Sequence, residues 1–270
     1  MEIGVMTGLR DDGKCFDHVQ QFGLKVCQLT VWGDNATPEL AEIVKAESAR
    51  TGVRVCAVWA GWGGPGAWNF TEGPITLGLV PPAYRAMRVA SLKKGADFAK
   101  AIGVPAIITH AGFIPENITD PEFGPVVVAI REVAQYCKDL GLELWFETGQ
   151  ETPIVLLRTI DRVGTGNMGI NLDPANLILY GKGNPIDSLD VFGKYVKNIH
   201  VKDGLYPTNG DELGKEVRPG LGKVNFPAFI KRLKEIGFDG ELIIEREIEG
   251  EEQSKDIRQT VDDLNVWLAQ

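Results

Sequence analysis

One local pattern of apolar and polar positions recurs along the chain. A segment with apolar residues at helical spacing ends in a glycine, and a short run rich in β-branched residues follows, as in FGLKVCQL, TGVRVCAV, IGVPAIIT, LGLELWF and IGFDGELII. Glycine adopts the left-handed conformation that closes a helix and turns the chain toward a strand. The pattern therefore predicts helices closed by Gly23, Gly52, Gly103, Gly141 and Gly237.

The alternation of helices and strands predicts parallel β/α units. The predicted strands are Ile3–Met6, Lys25–Leu29, Arg54–Val58, Ala106–Thr109, Glu143–Phe146, Met168–Leu172, Val196–Val201 and Glu241–Glu245. Eight units of roughly 34 residues each fit a (β/α)₈ TIM barrel, so we predict one such domain over residues 1–270. A doubly wound sheet is the alternative, but the glycine-rich phosphate-binding turn that usually follows its first strand is replaced by MTGLRDDG.

The longest irregular segment is AGWGGPGAWNFTEGPITLGLVPP, residues 60–82. Loops of this length in a compact domain are usually functional or disordered, and Trp62, Trp68 and Phe70 argue against plain disorder. Because the segment follows the third strand, it would lie over the C-terminal mouth of a barrel as a lid or wall. The alternative is a surface flap that packs on its own aromatic side chains.

Polar residues stand where five apolar runs stop. Strands four to eight end in His110, Glu147, Asp173, His200 and Glu245. The C-terminal ends of barrel strands converge on one mouth, where three carboxylates would repel one another. A divalent cation offsets this repulsion, and carboxylates with an imidazole suit Mn²⁺, Mg²⁺, Co²⁺ or Zn²⁺. Taken singly, each residue also has a structural explanation, such as an Asp that caps a turn before proline.

The series FETGQE, NLDPANL, NIHVKDG and IIERE resembles the xylose-isomerase-like TIM-barrel superfamily, and in particular its sugar (phosphate) isomerase/epimerase branch. The resemblance extends over nearly the whole chain. It implies one divalent cation held by Glu147, Asp173, His200 and Glu245. It also implies that His110, in ITHAG, lines the pocket, and that Arg218, in the glycine-rich run RPGLGKVNF, is a pocket residue.

Two departures from the family pattern bear on the activity. Asn176 stands where ketose 3-epimerases and the endonuclease branch usually carry His. Its amide can hydrogen-bond a substrate hydroxyl but cannot shuttle a proton at neutral pH. The epimerases also carry a Glu six residues after the strand-five ligand. Here that position is Pro153, and Glu151 is the nearest carboxylate, so both departures weigh against strict 3-epimerase activity.

The mechanism that these residues favour is metal-dependent isomerisation or epimerisation of a sugar, a sugar phosphate or a related hydroxy-ketone. A cation would stabilise an enediolate as a Lewis acid. Glu147 and Glu245, on different sides of the mouth, would remove and return the proton through their free oxygens. Lys202 or Arg218 would hold an oxyanion or a phosphate; alternatively, Lys202 pairs with Asp203 or another acid at the rim.

Three further residues are candidates for substrate contact. Trp32 and Trp62 are the aromatic residues that we expect to face the C–H surface of a sugar. Glu151 is a candidate for substrate binding or for support of the site. The expected partner is a small carbohydrate, and the resemblance makes a homo-oligomer possible.

Three other functions use the same fold. A dehydratase of an inosose-like keto-polyol would expel a β-hydroxyl from the same enolate. An apurinic endonuclease would need a cluster of several zinc ions, for which three histidines in the whole chain are few. A sugar-binding barrel without catalysis would not need the intact ligand set.

Charge and composition bear on partners and location. The formal net charge of −9 disfavours a broad nucleic-acid-binding surface. The four cysteines are scattered without a C-x-x-C motif and resemble reduced, buried residues. The start of the chain lacks the basic segment of a signal peptide, and no stretch is long and apolar enough for a membrane span. We therefore expect a cytoplasmic protein without nucleic-acid or membrane partners.

Overall fold

The computed structural model of the protein describes residues 1–8 and 14–270, except for the side chains of Cys15 and Asp34. Within these residues the strands are β1 (Glu2–Gly8), β2 (Val26–Trp32), β3 (Arg54–Gly61), β4 (Ala106–Thr109), β5 (Glu143–Glu147), β6 (Met168–Leu172), β7 (Val196–Val201), β8 (Asp203–Leu205), β9 (Lys215–Val217) and β10 (Glu241–Ile244). The strands β1–β7 and β10 pair in parallel and close a barrel, in the order β1-β10-β7-β6-β5-β4-β3-β2. This closed order confirms the predicted (β/α)₈ TIM barrel and excludes a doubly wound sheet.

Each of the eight predicted strands corresponds to a barrel strand, with small differences at the ends. The largest difference is at β2 and β3, which both run three residues further than predicted. The two extensions pair with each other, Thr30 with Trp59 and Trp32 with Gly61. This extra pairing carries Trp32 and Trp59 up to the mouth of the barrel.

The helices surround the barrel. In the described residues they are α1 (Asp17–Gln20), α2 (Pro38–Thr51), α3 (Gly73–Thr76), α4 (Pro82–Ile102), α5 (Phe123–Asp139), α6 (Pro153–Val163), α7 (Pro174–Leu179), α8 (Pro185–Phe192), α9 (Phe226–Glu235) and α10 (Gly250–Ala269). Five of them begin with proline, whose missing N–H is not needed in the first turn. Among the described helices, none has the length and apolar composition of a membrane span.

The glycines predicted to close helices do so. Gly23, Gly52, Gly103, Gly141 and Gly237 have φ values between 70° and 78° and lie within three residues of a helix end. A residue with a side chain is strained in this conformation, so the pattern of the sequence reports real turns. These turns return the chain to the bottom of the barrel for each following strand.

The segment 60–82 is tied to α4 through Arg88, and its own Trp62 and Trp68 stack on each other. Arg88 of α4 is buried beneath it and donates to the carbonyls of Gly63, Pro65 and Gly78. The guanidinium of Arg88 also lies 4.2 Å from the centre of the Trp62 ring. These contacts make the segment a fixed wall, in which α3 forms a single helical turn.

The glycine-rich run after β9 folds around a carboxylate of the protein itself. Asp203 is buried at the start of β8, which pairs with β9 in a short hairpin outside the barrel. Its carboxylate accepts backbone N–H groups at 2.8–3.0 Å from Gly204, Gly220, Gly222 and Val224. Successive N–H groups of this kind form an anion-binding nest, and Asp203 occupies it.

We expect Asp203→Ala to lower the free energy of unfolding by about 2–4 kcal/mol, because it leaves several buried donors without their charged acceptor. Urea unfolding followed by circular dichroism measures the change. Asp211→Ala is the matched control, since Asp211 is an exposed acid of the same connection, and its effect should stay within about 0.5 kcal/mol. Equal effects of the two substitutions would contradict the nest.

Candidate metal centre

Four neighbouring strands bring one cluster of ligand atoms together. Glu147 ends β5, Asp173 follows β6, His200 lies in β7 and Glu245 follows β10. One ligand atom from each of the four lies within 4.8 Å of the others. Since β5, β6, β7 and β10 are adjacent in the barrel, their C-terminal ends lie side by side and bring these atoms together. They form a candidate metal site at the C-terminal mouth.

The distances place the imidazole among the carboxylates. His200 Nδ1 lies 3.1 Å from Glu147 Oε1, 3.0 Å from Glu245 Oε2 and 3.8 Å from Asp173 Oδ2. Burial by itself disfavours a charged imidazole, but Glu245 and Glu147 raise the pKa of His200 well above its ordinary value. The same negative charge that favours a proton on Nδ1 favours a metal ion beside it.

The donor atoms fit a divalent cation. Asp173 Oδ2, His200 Nδ1 and Glu245 Oε2 are buried and make no hydrogen bond of good geometry, although His200 Nδ1 and Glu245 Oε2 are only 3.0 Å apart. Buried polar atoms without partners are costly, and buried carboxylates more so, unless a cation compensates them. Three carboxylates and one imidazole are ligands that Mn²⁺, Mg²⁺, Co²⁺ or Zn²⁺ accepts. The residues present are therefore able to hold such an ion.

Each of three ligands is held by one atom and presents another to the centre. Asp173 caps α7 through Oδ1, which accepts the N–H of Asn176 at 2.9 Å, and Oδ2 is left toward His200 and Lys202. His200 Nε2 lies 2.7 Å from Gln28 Oε1, which leaves Nδ1 toward the carboxylates. Glu147 Oε2 accepts the indole N–H of Trp59, while Oε1 is the oxygen beside His200. The protein thus orients the ligand set from outside it.

The residue that supports His200 was missed in the sequence. Gln28 is fully buried inside the barrel, and its Nε2 donates to Asn171 Oδ1 at 3.2 Å. A signal for it exists, because Gln28 interrupts the apolar run VCQLTVW just as Asn171 interrupts MGINL. Strand side chains alternate between faces, so Asn171 shares the face of Asp173. A buried polar residue on a strand across the barrel from a ligand is therefore a candidate for its support.

Lys202 is a counterion of the ligand set. Its buried ammonium lies 3.5 Å from Asp173 Oδ2 and from Glu245 Oε2, and 2.9 Å from Glu247 Oε1. Of the two ion pairs that the sequence allowed, the one with a rim acid is formed with Glu247. The pair with Asp203 is not formed, because Asp203 faces the glycine-rich loop instead. Although burial opposes ionisation of Glu245, Lys202 and His200 keep its pKa below the ordinary value.

A cavity of about 400 Å³ opens above the ligands. Its walls include the aromatic side chains of Trp32, Trp59, Trp68 and Tyr180, together with His110, Asn176 and three acids: Glu147, Glu245 and Glu247. Of the substrate candidates named from the sequence, Trp32, His110 and Asn176 therefore lie at this cavity. Trp68 was not among the preferred aromatic residues, although it belongs to the same irregular segment.

Two expected pocket residues lie elsewhere. Trp62 is buried behind the wall, where its ring stacks on Trp68 at 6.1 Å, and it does not line the cavity. Arg218 also faces away from the cavity and pairs with Asp263 of α10. The cause is the fold of the glycine-rich loop, which closes around Asp203 and leaves Arg218 on the side of α10.

Glu151 is a buried acid beside the site rather than part of the cavity wall. Its side chain is 2% exposed, and neither carboxyl oxygen has a hydrogen-bond partner. Burial raises the pKa of Glu151 to about 8, so the group is mostly uncharged at neutral pH. It therefore adds little negative charge to the ligand set.

The closed barrel with a Glu-Asp-His-Glu cluster at its mouth defines a TIM barrel with a candidate metal centre. Comparison with known protein families identifies the family to which this barrel belongs. The sequence model of the xylose isomerase-like TIM barrel family matches residues 16–269, and the chain belongs to this family.

Three similar proteins illustrate the relationship. A solved xylose isomerase domain protein from Planctomyces limnophilus is 36% identical, with a TM-score of 0.93 over 98% of this chain and 96% of that one. A D-tagatose 3-epimerase-like protein is 20% identical, with a TM-score of 0.77 over 100% and 97%, and shares the fold. The inosose dehydratase of Lacticaseibacillus casei is 24% identical over 191 residues. The match covers 58% of this chain and 62% of the length of that protein.

We expect Gln28→Leu to raise the dissociation constant for Mn²⁺ about tenfold or more, because His200 loses the acceptor that fixes its ring. Gln28→Glu keeps an oxygen that accepts the hydrogen bond from His200 Nε2, so this variant should retain the affinity for Mn²⁺. Isothermal titration of the metal-free protein measures both. Asn198→Leu is the control: Asn198 is an equally buried amide inside the barrel with its nearest partners in Cys56 and Glu241, and its loss should leave the affinity within about threefold. If Asn198→Leu weakens Mn²⁺ binding as much as Gln28→Leu does, Gln28 has no specific role in the metal site.

Proposed function

We propose that the protein is a divalent-metal-dependent isomerase or epimerase of a sugar or a related hydroxy-ketone, acting through an enediolate. The observation that carries the proposal is the position of Glu147 and Glu245 in one cavity. Both line it, and their strands β5 and β10 are separated in the barrel by β6 and β7. Two carboxylates that approach a flat enediolate from different sides suit the removal of a proton from one face and its return to the other.

The chemistry divides between the cation and the side chains. A divalent cation held by the four ligands would supply Lewis-acid stabilisation of the negative charge that develops as the proton leaves. Glu147 or Glu245 takes the proton from the carbon beside the carbonyl, and the other returns it. His110 Nε2 lies 3.3 Å from Glu147 Oε2, within reach of the carboxylate that changes its protonation. Asn176, held by Lys202 and the carbonyl of Thr148, offers an amide to a substrate hydroxyl.

The charges around the cavity favour an uncharged substrate over a phosphate ester. The three ligand carboxylates would be offset by one divalent cation and by Lys202, and Glu247 adds a further negative charge at the rim. Arg218 pairs with Asp263, and the nest of the glycine-rich loop holds Asp203. Among the described residues that line the cavity, none is Lys or Arg. The walls are instead aromatic, which suits the C–H faces of a sugar.

A dehydratase is the second candidate, and two observations favour it. The inosose dehydratase of Lacticaseibacillus casei is among the similar proteins. Asn176 also stands where ketose 3-epimerases of the family carry a histidine. In this reaction the same proton is removed, and the electron pair of the enolate expels a β-hydroxyl as water. The difference between the two functions is therefore a leaving group on the substrate.

We expect the metal-loaded protein to incorporate deuterium from deuterated water beside the carbonyl of its ketose substrate. Glu147→Gln and Glu245→Gln should each lower this exchange about 10²-fold or more, because each removes a proton-transfer group. Nuclear magnetic resonance of a panel of ketoses and keto-polyols measures the exchange, and mass spectrometry detects loss of water. Glu143→Gln, at the opposite end of β5, is the control and should exchange normally. Water loss without exchange into recovered ketose would favour the dehydratase. If Glu147→Gln and Glu245→Gln leave the exchange unchanged, the proposed roles are wrong.

We expect a ketohexose to bind the metal-loaded protein at least tenfold more tightly than its 6-phosphate, because the rim carries a negative charge. Isothermal titration of the matched pair measures the two constants. Glu247→Gln removes one partner of Lys202 and should narrow the difference. Tighter binding of the phosphate ester would show that the site takes a charged substrate.

A further inference from the structure

Trp59, near the end of β3, touches the ligand set directly. Its indole N–H donates a hydrogen bond to Glu147 Oε2. Trp59 is 7% exposed and Glu147 is 2% exposed, so this bond is shielded from water. A hydrogen bond to a shielded carboxylate is stronger than one between neutral groups and fixes its direction.

The two oxygens of Glu147 have different surroundings. Oε1 lies 3.1 Å from His200 Nδ1 and so faces the other ligands. Oε2 faces the indole of Trp59 and lies 3.3 Å from His110 Nε2. A carboxylate binds a cation through one oxygen or through both, and the neighbours of the second oxygen decide which. The donor at Oε2 therefore sets how Glu147 coordinates.

Trp59 is itself held in place. Its backbone pairs with Thr30 in the extension of β2 and β3. Its ring meets the ring of Trp32 edge-on at 5.5 Å and the ring of His110 at 6.1 Å. An indole packed in this way cannot turn its N–H aside without moving its neighbours. The geometry of the bond to Glu147 is therefore built into the wall of the cavity.

We propose that Trp59 is a positioning residue for Glu147: its N–H holds Oε2 so that Oε1 alone faces the divalent cation and Oε2 is kept for proton transfer. The effect on metal binding depends only on Trp59, Glu147 and the other residues of the candidate metal site. The proton-transfer half rests on the proposed function. Phenylalanine would supply the same aromatic ring to the cavity wall. The inference therefore depends on the indole nitrogen of Trp59.

The barrel contains a matched control. Trp145 Nε1 donates to Glu143 Oε2 at 2.6 Å near the opposite end of β5, and Trp145 is 6% exposed. Trp59→Phe and Trp145→Phe each delete an indole-to-glutamate hydrogen bond within the same barrel and keep an aromatic ring. They differ in that only Trp59 bonds a residue of the metal site.

The first test is metal affinity, which needs no substrate. We expect Trp59→Phe to raise the dissociation constant for Mn²⁺ about tenfold, because Glu147 is no longer held in one orientation. Trp145→Phe should change it less than about threefold. Isothermal titration of the metal-free proteins measures the constants, and urea unfolding shows whether both variants fold. An unchanged or tighter constant in Trp59→Phe, or equal changes in the two variants, overturns the inference.

A second test measures the metal response on the wild-type protein itself. The chain has six tryptophans, so a ¹⁵N-labelled sample gives six indole resonances, assigned by replacing tryptophans one at a time. We expect Mg²⁺ to shift the Trp59 indole proton and to leave that of Trp145 in place. No shift at Trp59 on saturation with Mg²⁺ would show that its N–H does not report on the ligand and would overturn the inference.

Proton transfer is tested with the substrate found by deuterium exchange. Trp59→Phe should lower kcat for exchange about tenfold or more beyond what metal saturation restores, with KM changed less than threefold. Full recovery of kcat at saturating metal overturns the proton-transfer half. If the wild-type protein exchanges no ketose, the proposed function fails, while the Mn²⁺ and Mg²⁺ experiments still decide the role of Trp59 in the metal centre.

Discussion

The interaction on which this molecule depends is the repulsion of buried carboxylates around His200. Glu147 and Asp173 are almost fully buried, and Glu245 closes the set from the cavity side. Such a cluster is stable in a low-dielectric site only when positive charge compensates the carboxylates. Lys202 supplies one such charge from the protein, and one ligand atom from each of the four residues lies within 4.8 Å of the others. The cluster is thus prepared for a cation.

Function follows from how the barrel holds these groups rather than from the groups alone. The ligands sit at strand ends, where the carboxyl ends of the barrel strands converge, and each supporting residue comes from a different strand or loop. Gln28 on β2 reaches His200 on β7, and Trp59 on β3 reaches Glu147 on β5. These bonds cross the interior of the barrel. A rigid closed sheet therefore orients ligand atoms more exactly than a flexible loop would.

Sequence reasoning recovers the features that depend on local chemistry. Glycine at helix ends and the polar residue after each apolar run are local, so the strands, the closing glycines and the ligand cluster could be predicted. The bonds of Gln28 and Trp59 depend on strands far apart in the chain that meet only after closure. The predicted positions of Arg218 and Trp62 in the pocket are wrong for another reason. The position of Arg218 follows from a loop that folds around Asp203, and that of Trp62 from a segment held by Arg88. The spacing of apolar residues in the sequence does not predict the path of such loops.

The irregular segment 60–82 supplies one wall of the cavity above the candidate metal site. Arg88 anchors the segment from below by donating to three of its carbonyls, so Trp68 is held beside His110 at a ring distance of 5.0 Å. The part of the cavity lining that this segment supplies is therefore aromatic, while Glu245 and Glu247 give the lining its acidic part. Under the proposed function, a polyol with one C–H face and several hydroxyls would match both the aromatic and the acidic lining. A phosphate dianion would match neither, because aromatic faces do not solvate it and the acids repel it.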